Sequence, residues 1–415
     1  MKFTLTNGLL ISVSWAALIS CSPLIDRKAA FPETLLIARG ILPTISGDQD
    51  ARDKIAKRVA IEFAHRGYHR EAAELLGAQN TFHGTLGLAE LATEFAHQGE
   101  KSLAKAYCAK AEEASRQFLP MLPRPIPIAF VEAEASCHNW EKAKDWILTM
   151  GDSYDRSEAN SKLYAERLLA GLANLAEDPP MWELEVISAK CVVIQKSKPS
   201  QLRTEQLAKV LQNIASMFPV NRTDAYLILY GSARQMGEDK IQKEAIEGAI
   251  RSALSLARDI EETPVLQAKT AEVLFQARDD RAYPMIKNAR ESCASLVGFY
   301  QPPALCAVAE VLEKMGRFED ANEAWKEAWQ KAVCHVHPRA RQINAIEVLL
   351  SKTRAGKELT SQDRNYLDSV QSGINSSVTT VHEPSMDVIK EVSEHFEAQN
   401  KANLKQSFKT KSKAK

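Results

Sequence analysis

Few residue types in this 415-residue chain fall at spacings that could do bond chemistry. The densest set is Cys334-His335-x-His337, a thiol and two imidazoles within four residues. Those groups are zinc ligands by type, but three such close neighbours at a helix end rarely converge on one tetrahedral ion. We therefore read a core cysteine with two exposed histidines beside Pro338, and expect no metal. His65 and His97 stand 32 residues apart in matching surroundings, which reads as structural reuse. Cys108, Cys137, Cys191, Cys293, Cys306 and Cys334 form no Cys-x-x-Cys pair. Cys293 and Cys306 are placed where neighbouring helices would permit a disulfide, although the commoner role is a small buried hydrophobe. No nucleotide or nucleophile signature is present. Gly356-Lys357 lacks the rest of a phosphate loop and reads as a helix end. Gly231-Ser232 falls in a helical run, and His382-Glu383 precedes a proline. No catalytic residue and no cofactor is expected.

The remaining cysteine, Cys21, has a different setting. Met1-Lys2-Phe3 is followed by an apolar run from Leu9 to Ile19 and then by Leu18-Ile19-Ser20-Cys21. The run is too short to cross a bilayer, which needs about twenty residues, but it suits the core of an export signal. Leu-Ile-Ser-Cys resembles the lipobox of bacterial lipoproteins. That resemblance implies removal of residues 1–20, a diacylglyceride on the Cys21 thiol, and an envelope location, with Ser22 directing the protein to the outer membrane. Two acyl chains hold a domain on a membrane where one would not. Residues 21–50, with Pro23, Pro32, Pro43 and Gly47, read as a tether containing a short helix over 31–42.

The body positions everything else. Ala60-Ile61-Glu62-Phe63-Ala64-His65-Arg66-Gly67 and Ala92-Thr93-Glu94-Phe95-Ala96-His97-Gln98-Gly99 share six of eight residues. Ala72 and Ala104 lie five residues after the two glycines. Ala309-Glu310-Val311-Leu312, Gly316, Phe318 and Ala321 repeat the skeleton. Ala271-Glu272-Val273-Leu274 with Ala282 repeats it again, and a degenerate copy has His138 in place of the glycine, then Trp140 and Ala143. Small residues let paired helices approach, and glycine relieves the turn. Apolar residues at i, i+3, i+4 spacing, as in Leu305, Val308, Ala309 and Leu312, give each helix a stripe that only a neighbouring pair can cover. Prolines punctuate the chain between such units, and no run of alternating apolar residues predicts a strand.

This skeleton resembles the tetratricopeptide repeat, through Gly67, Gly99 and Gly316 with their flanking alanines. The resemblance implies an all-α, right-handed α-solenoid of antiparallel helix hairpins over 51–353. Spacings near 39, turns without glycine, and the breaks at Pro179-Pro180 and Phe218-Pro219 depart from the family, so a less regular α-solenoid is the alternative. Trp325 and Trp329, four residues apart, are expected to seal a seam between units. Residues 354–399 read as capping helices, the last over 385–399 with Met386, Ile389, Val392 and Phe396 on one face. Residues 400–415 read as a disordered tail, with six lysines and no acid in 401–415.

Hydrophobic content of 45% and charged content of 26% exclude global disorder. Equal numbers of basic and acidic residues argue against a nucleic-acid binder. The function implied is an exported, lipid-anchored, non-enzymatic repeat scaffold that grips a protein or peptide on the face of its first helices. The repeat register puts Lys57, Ile61, Ala89, Thr93, Glu132 and Glu310 on that face. The alternatives are a cytosolic tetratricopeptide-like adaptor whose first apolar stretch packs on its own core, and an all-α envelope enzyme or its substrate-specificity domain.

Overall fold

The computed structural model describes residues 32–45, 49–77, 81–118, 126–197, 199–335 and 337–376, with side chains to Val370. Cys21 and 385–399 lie outside the described residues. Contacts group the chain up to Val370 as one unit, and beyond it only the helix end 371–376 is described. Among the described residues the secondary structure is helical, with no strand. No helix among them is long and apolar enough to cross a membrane.

The first helices are α1 (Glu33–Ile41), α2 (Gln49–His65), α3 (His69–Gly77), α4 (Phe82–His97), α5 (Lys101–Ser115) and α6 (Ile126–Ser136). Next come α7 (Trp140–Leu148), α8 (Ser153–Leu169), α9 (Leu184–Lys196), α10 (Gln201–Ile214), α11 (Pro219–Met236) and α12 (Asp239–Ser255). The last are α13 (Thr263–Gln276), α14 (Ala282–Ser295), α15 (Gln301–Lys314), α16 (Phe318–Val333), α17 (Pro338–Arg354) and α18 (Ser361–Ser376). Helix starts follow local chemistry. The side chains of Thr81, Asp152 and Ser200 cap α4, α8 and α10 by accepting backbone N–H groups. Pro219, Pro264, Pro302 and Pro338 stand in the first turn of α11, α13, α15 and α17, where a missing N–H costs nothing. Pro219 thus opens a repeat helix, where the sequence suggested a break.

Among the described residues, eight helices end alike. Gly67, Gly99, His138, Gly171, Gly237, Arg278, Gly316 and Gly356 all have φ between 58° and 82°. In each case the N–H of the following residue returns to the carbonyl five positions back, from Tyr68 to Phe63 through Lys357 to Lys352, at 2.7–2.9 Å. This is a Schellman closure, and its left-handed position favours glycine. The sequence pattern reveals Gly67, Gly99, His138 and Gly316 directly. The structure adds Gly171, Gly237 and Arg278, and joins the helix end at Gly356 to the same set.

The helices ending in these turns, α2, α4, α6, α8, α11, α13, α15 and α17, pack as neighbours, with α9 inserted between α8 and α11. Each is followed by a helix packed against it or its neighbour, α8 by α9 only after the irregular residues 170–183, and small residues bring the pairs close. Ala309, Ala321, Ala324 and Ala328 are fully buried where α15 meets α16. On α12, a Cβ at Gly248 would come within 2.7 Å of the Tyr226 ring on α11. Trp325 and Trp329 are buried at the seam of α16, α17 and α18. Trp329 stacks on Tyr366 at 6.0 Å, and Lys352 lies 5.2 Å above the Trp325 ring.

The order of packing closes on itself. α17 meets α15 and α16, and it also meets α1 and α2. Leu35, Ala38 and Ile41 of α1 are buried. Thr34 Oγ1 lies 2.6 Å from Thr353 Oγ1, and Gln342 Nε2 donates to Thr44 Oγ1 at 3.0 Å. Arg58 pairs with Glu347, and Arg66 donates to the Thr353 carbonyl. Within the stretch read as a tether, a helix forms at 33–41 and is docked rather than free.

Candidate functional site

The first helices carry their charges on faces that meet one another. Lys57 Nζ on α2 holds both Glu90 oxygens of α4, at 2.9 and 3.0 Å. Toward the helix ends, His65 Nε2 lies 2.8 Å from Glu94 Oε2. His97 Nε2 on α4 lies 2.7 Å from Glu166 Oε1 on α8, spanning past α6. Lys162 on α8 bridges Glu132 on α6 at 2.9 Å and Glu185 on α9 at 2.5 Å. Lys269 on α13 holds Asp224 of α11 at 2.9 Å, and Lys314 on α15 holds Glu272 of α13 at 2.8 Å. These pairs form a ladder across the array. Half-buried pairs add little net stability, because desolvation offsets attraction; their effect is to fix which helix faces which.

Desolvation and partners act against each other along the ladder. Burial disfavours the charged forms of His65 and His97, but Glu94 and Glu166 outweigh it and raise both pKa values. Burial likewise acts to lower Lys162, and Glu132 and Glu185 hold it above its ordinary value. Burial raises Glu132 in spite of Lys162.

Glu310 is the exception. It is 5% exposed, and its Oε1 has no hydrogen-bond partner. Burial pushes its carboxyl up to about 7, against the pull of Arg354 and Lys314 and assisted by Glu272 and Glu62. Those two acids are already engaged, Glu272 by Lys314 and Glu62 by Arg66 at 3.4 Å. Glu310 can therefore hold or release a proton near neutrality.

The residues expected to line a binding face divide into two groups. Lys57, Ile61 and Glu132 are half-buried, whereas Ala89, Thr93 and Glu310 are buried. Thr93 Oγ1 donates to the Ala89 carbonyl at 3.4 Å, one turn back on the same helix. Glu90, Glu94, Lys162, Glu166 and Glu185 were not among the expected site residues. For three acids the signal was available: Glu62, Glu94 and Glu166 each stand five residues before a left-handed turn residue. Cys334 is exposed, not a core residue, and no group among the described residues could hold a metal. Cys293 and Cys306 are free, buried thiols, and burial raises the pKa of both. A groove of about 380 Å³ lies among α14, α15 and α16, lined by Tyr283, Ile286, Arg290, Leu312 and Glu327.

Comparison of the chain with protein-family models, curated proteins and solved structures finds no match.

Proposed function

We propose that this protein is an exported, lipid-anchored scaffold, a right-handed array of antiparallel tetratricopeptide-like hairpins that binds a protein or peptide segment without enzymatic chemistry. Cys21 carries the diacyl anchor, residues 22–32 lead to the docked α1, and the protein faces the bacterial envelope. The observation that carries the binding role is the ladder of half-exposed charges across successive first helices. Its members Lys57, Glu90, Glu132 and Glu185 keep 16, 40, 20 and 22% of their side-chain surface in water. A partner segment with charges of alternating sign can exchange pairs with such a ladder at small net cost, and Ile61 between them offers an apolar contact.

The test is site-specific photo-crosslinking in cells. A photoreactive residue at Ile61 is expected to trap a discrete adduct that Glu90→Lys abolishes. The same probe at Leu148, 81% exposed on α7, is the control. Equal labelling from both sites would remove the binding role. The anchor is tested separately by feeding cells a clickable fatty acid: the wild type incorporates it and Cys21→Ala does not.

A further inference from the structure

The groove flanked by α14 and α16 has no part in the scaffold reading, whose charge ladder lies on the first helices. Its volume of about 380 Å³ stands at the small end of the range for small-molecule sites. Tyr283, Ile286, Lys287 and Arg290 follow at i, i+3, i+4 and i+7, so one face of α14 makes one wall. Asp320 and Glu327, seven residues apart on α16, make the other, and Glu323 stands between them on the same face. Leu312 of α15, itself almost fully buried, closes the floor.

The two walls carry opposite charge, and they satisfy each other poorly. Arg290 reaches across to Glu323 at 3.4 Å and Glu327 at 3.5 Å. A charge-assisted N–H···O bond is shorter, about 2.7–2.9 Å. Lys287 is exposed and has no ion-pair partner among the described residues. The remaining charges at the rim are engaged elsewhere. Arg317 holds Asp320 at 2.8 Å and lies 4.6 Å from the centre of the Tyr283 ring, and Arg258 reaches Glu291 at 3.6 Å. Two cations on one wall, two carboxylates on the other and an aromatic ring at one end are thus left for a ligand.

We propose that this groove binds a small zwitterion, a free peptide of two or three residues with an apolar side chain. The peptide carboxylate takes Lys287 and Arg290, its ammonium takes Glu323 and Glu327, and its side chain lies against Tyr283. Binding places the ligand between Arg290 and its two acids, so each of these charges exchanges a long contact for a short one. A ligand of single charge leaves one wall unmatched: an anion meets the acids of α16, and a cation meets Lys287 and Arg290. The opposed walls therefore select both charges on one molecule. A free amino acid carries both charges on one carbon and leaves part of the groove wet, whereas two or three residues set the charges apart and fill it.

The test titrates the full chain with the dipeptides Ala-Phe, Leu-Leu and Ala-Ala, and with acetyl-Ala-Phe and Ala-Phe amide, read by calorimetry and ligand-observed NMR. Ala-Phe is expected to bind more tightly than Ala-Ala, and each capped form about tenfold more weakly than free Ala-Phe, since each loses one set of charge-assisted contacts. Lys287→Gln combined with Arg290→Gln is expected to weaken Ala-Phe by a similar factor and to bind it no better than its amide. Glu327→Gln is expected to narrow the preference over the acetyl form, and Tyr283→Ala to remove the advantage of Ala-Phe over Ala-Ala. No binding of any dipeptide at millimolar concentration would overturn the proposal. So would capped forms that bind as well as free ones, because the groove would then take internal segments of longer chains, or Ala-Phe affinity that survives the Lys287→Gln, Arg290→Gln double variant. The comparison of free with capped peptides uses the wild type alone and decides the matter even if a variant fails to fold.

Discussion

The junction of α2 with α4 and that of α8 with α9 solve one packing problem in two ways. At the first, two complete helix pairs meet across small residues. Gly87 lets α4 approach until a Cβ there would sit 2.8 Å from Lys57 Cγ and 2.9 Å from Leu76. At the second, no helix follows α8 directly: residues 170–183 run irregularly before α9 begins. Lys190, 1% exposed, fastens that segment by donating to the Leu175 and Glu177 carbonyls at 2.8 and 2.9 Å. Its ammonium also lies 5.4 Å from the Tyr164 ring and 5.2 Å from the Trp182 ring. A regular unit satisfies its backbone within helices. The irregular one needs a buried cation to satisfy the carbonyls that a helix would have used. The repeat can therefore lose an element, provided one side chain takes over its hydrogen bonds.

The sharpest way to break this contrast is Lys190→Met. It leaves two carbonyls without their donor and is expected to cost about 3 kcal/mol. Urea denaturation would measure the loss, and hydrogen exchange should localise it to 170–183. A comparable loss when Lys57, the lysine of the regular junction, is replaced by Met would erase the distinction.

Next comes Glu310→Gln, which probes a buried charge in a regular unit. The Glu310 pKa is raised in the folded state, so its contribution to stability is complete below the ordinary carboxylate range and is lost as pH rises toward about 7. The wild type should be less stable at pH 8 than at pH 5 by a component on the order of 2–3 kcal/mol, which the variant lacks. Parallel thermal melts at the two pH values check this.

Gly248→Ala tests close approach in a regular pair. The added carbon meets the Tyr226 ring, which cannot move aside as a flexible chain can, so about 1–3 kcal/mol is expected in denaturant titration. The smallest effect belongs to the turns. His138→Gly should stabilise by less than about 1 kcal/mol, because a non-glycine residue at φ 64° is relieved, whereas Gly67→Ala should destabilise by about that amount.

Sequence periodicity made the helices and several turns legible, because glycine and alanine leave local marks. Gly67, Gly99 and Gly316 needed no structure. Arg278 did, since nothing in an arginine announces a left-handed backbone. The acids of the ladder were visible as residues but not as pairs. His97 finds Glu166 across 69 positions, and no spacing rule encodes that distance. Burial of Thr93 and Glu310 was equally hidden, because the register assigns a face but not how closely the next helix covers it. The meeting of α1 with α17 had no local signal at all.

That meeting changes how the protein must come into being. In an array joined only neighbour to neighbour, each unit can settle as soon as the next one is made. Here Thr34 waits for Thr353, 319 residues later. During synthesis the apolar side of α1 stays without its mate until almost the whole polypeptide has emerged, which exposes it to premature association. Trimming either terminus would then unsettle both, so deletions at opposite ends should have effects that are not additive.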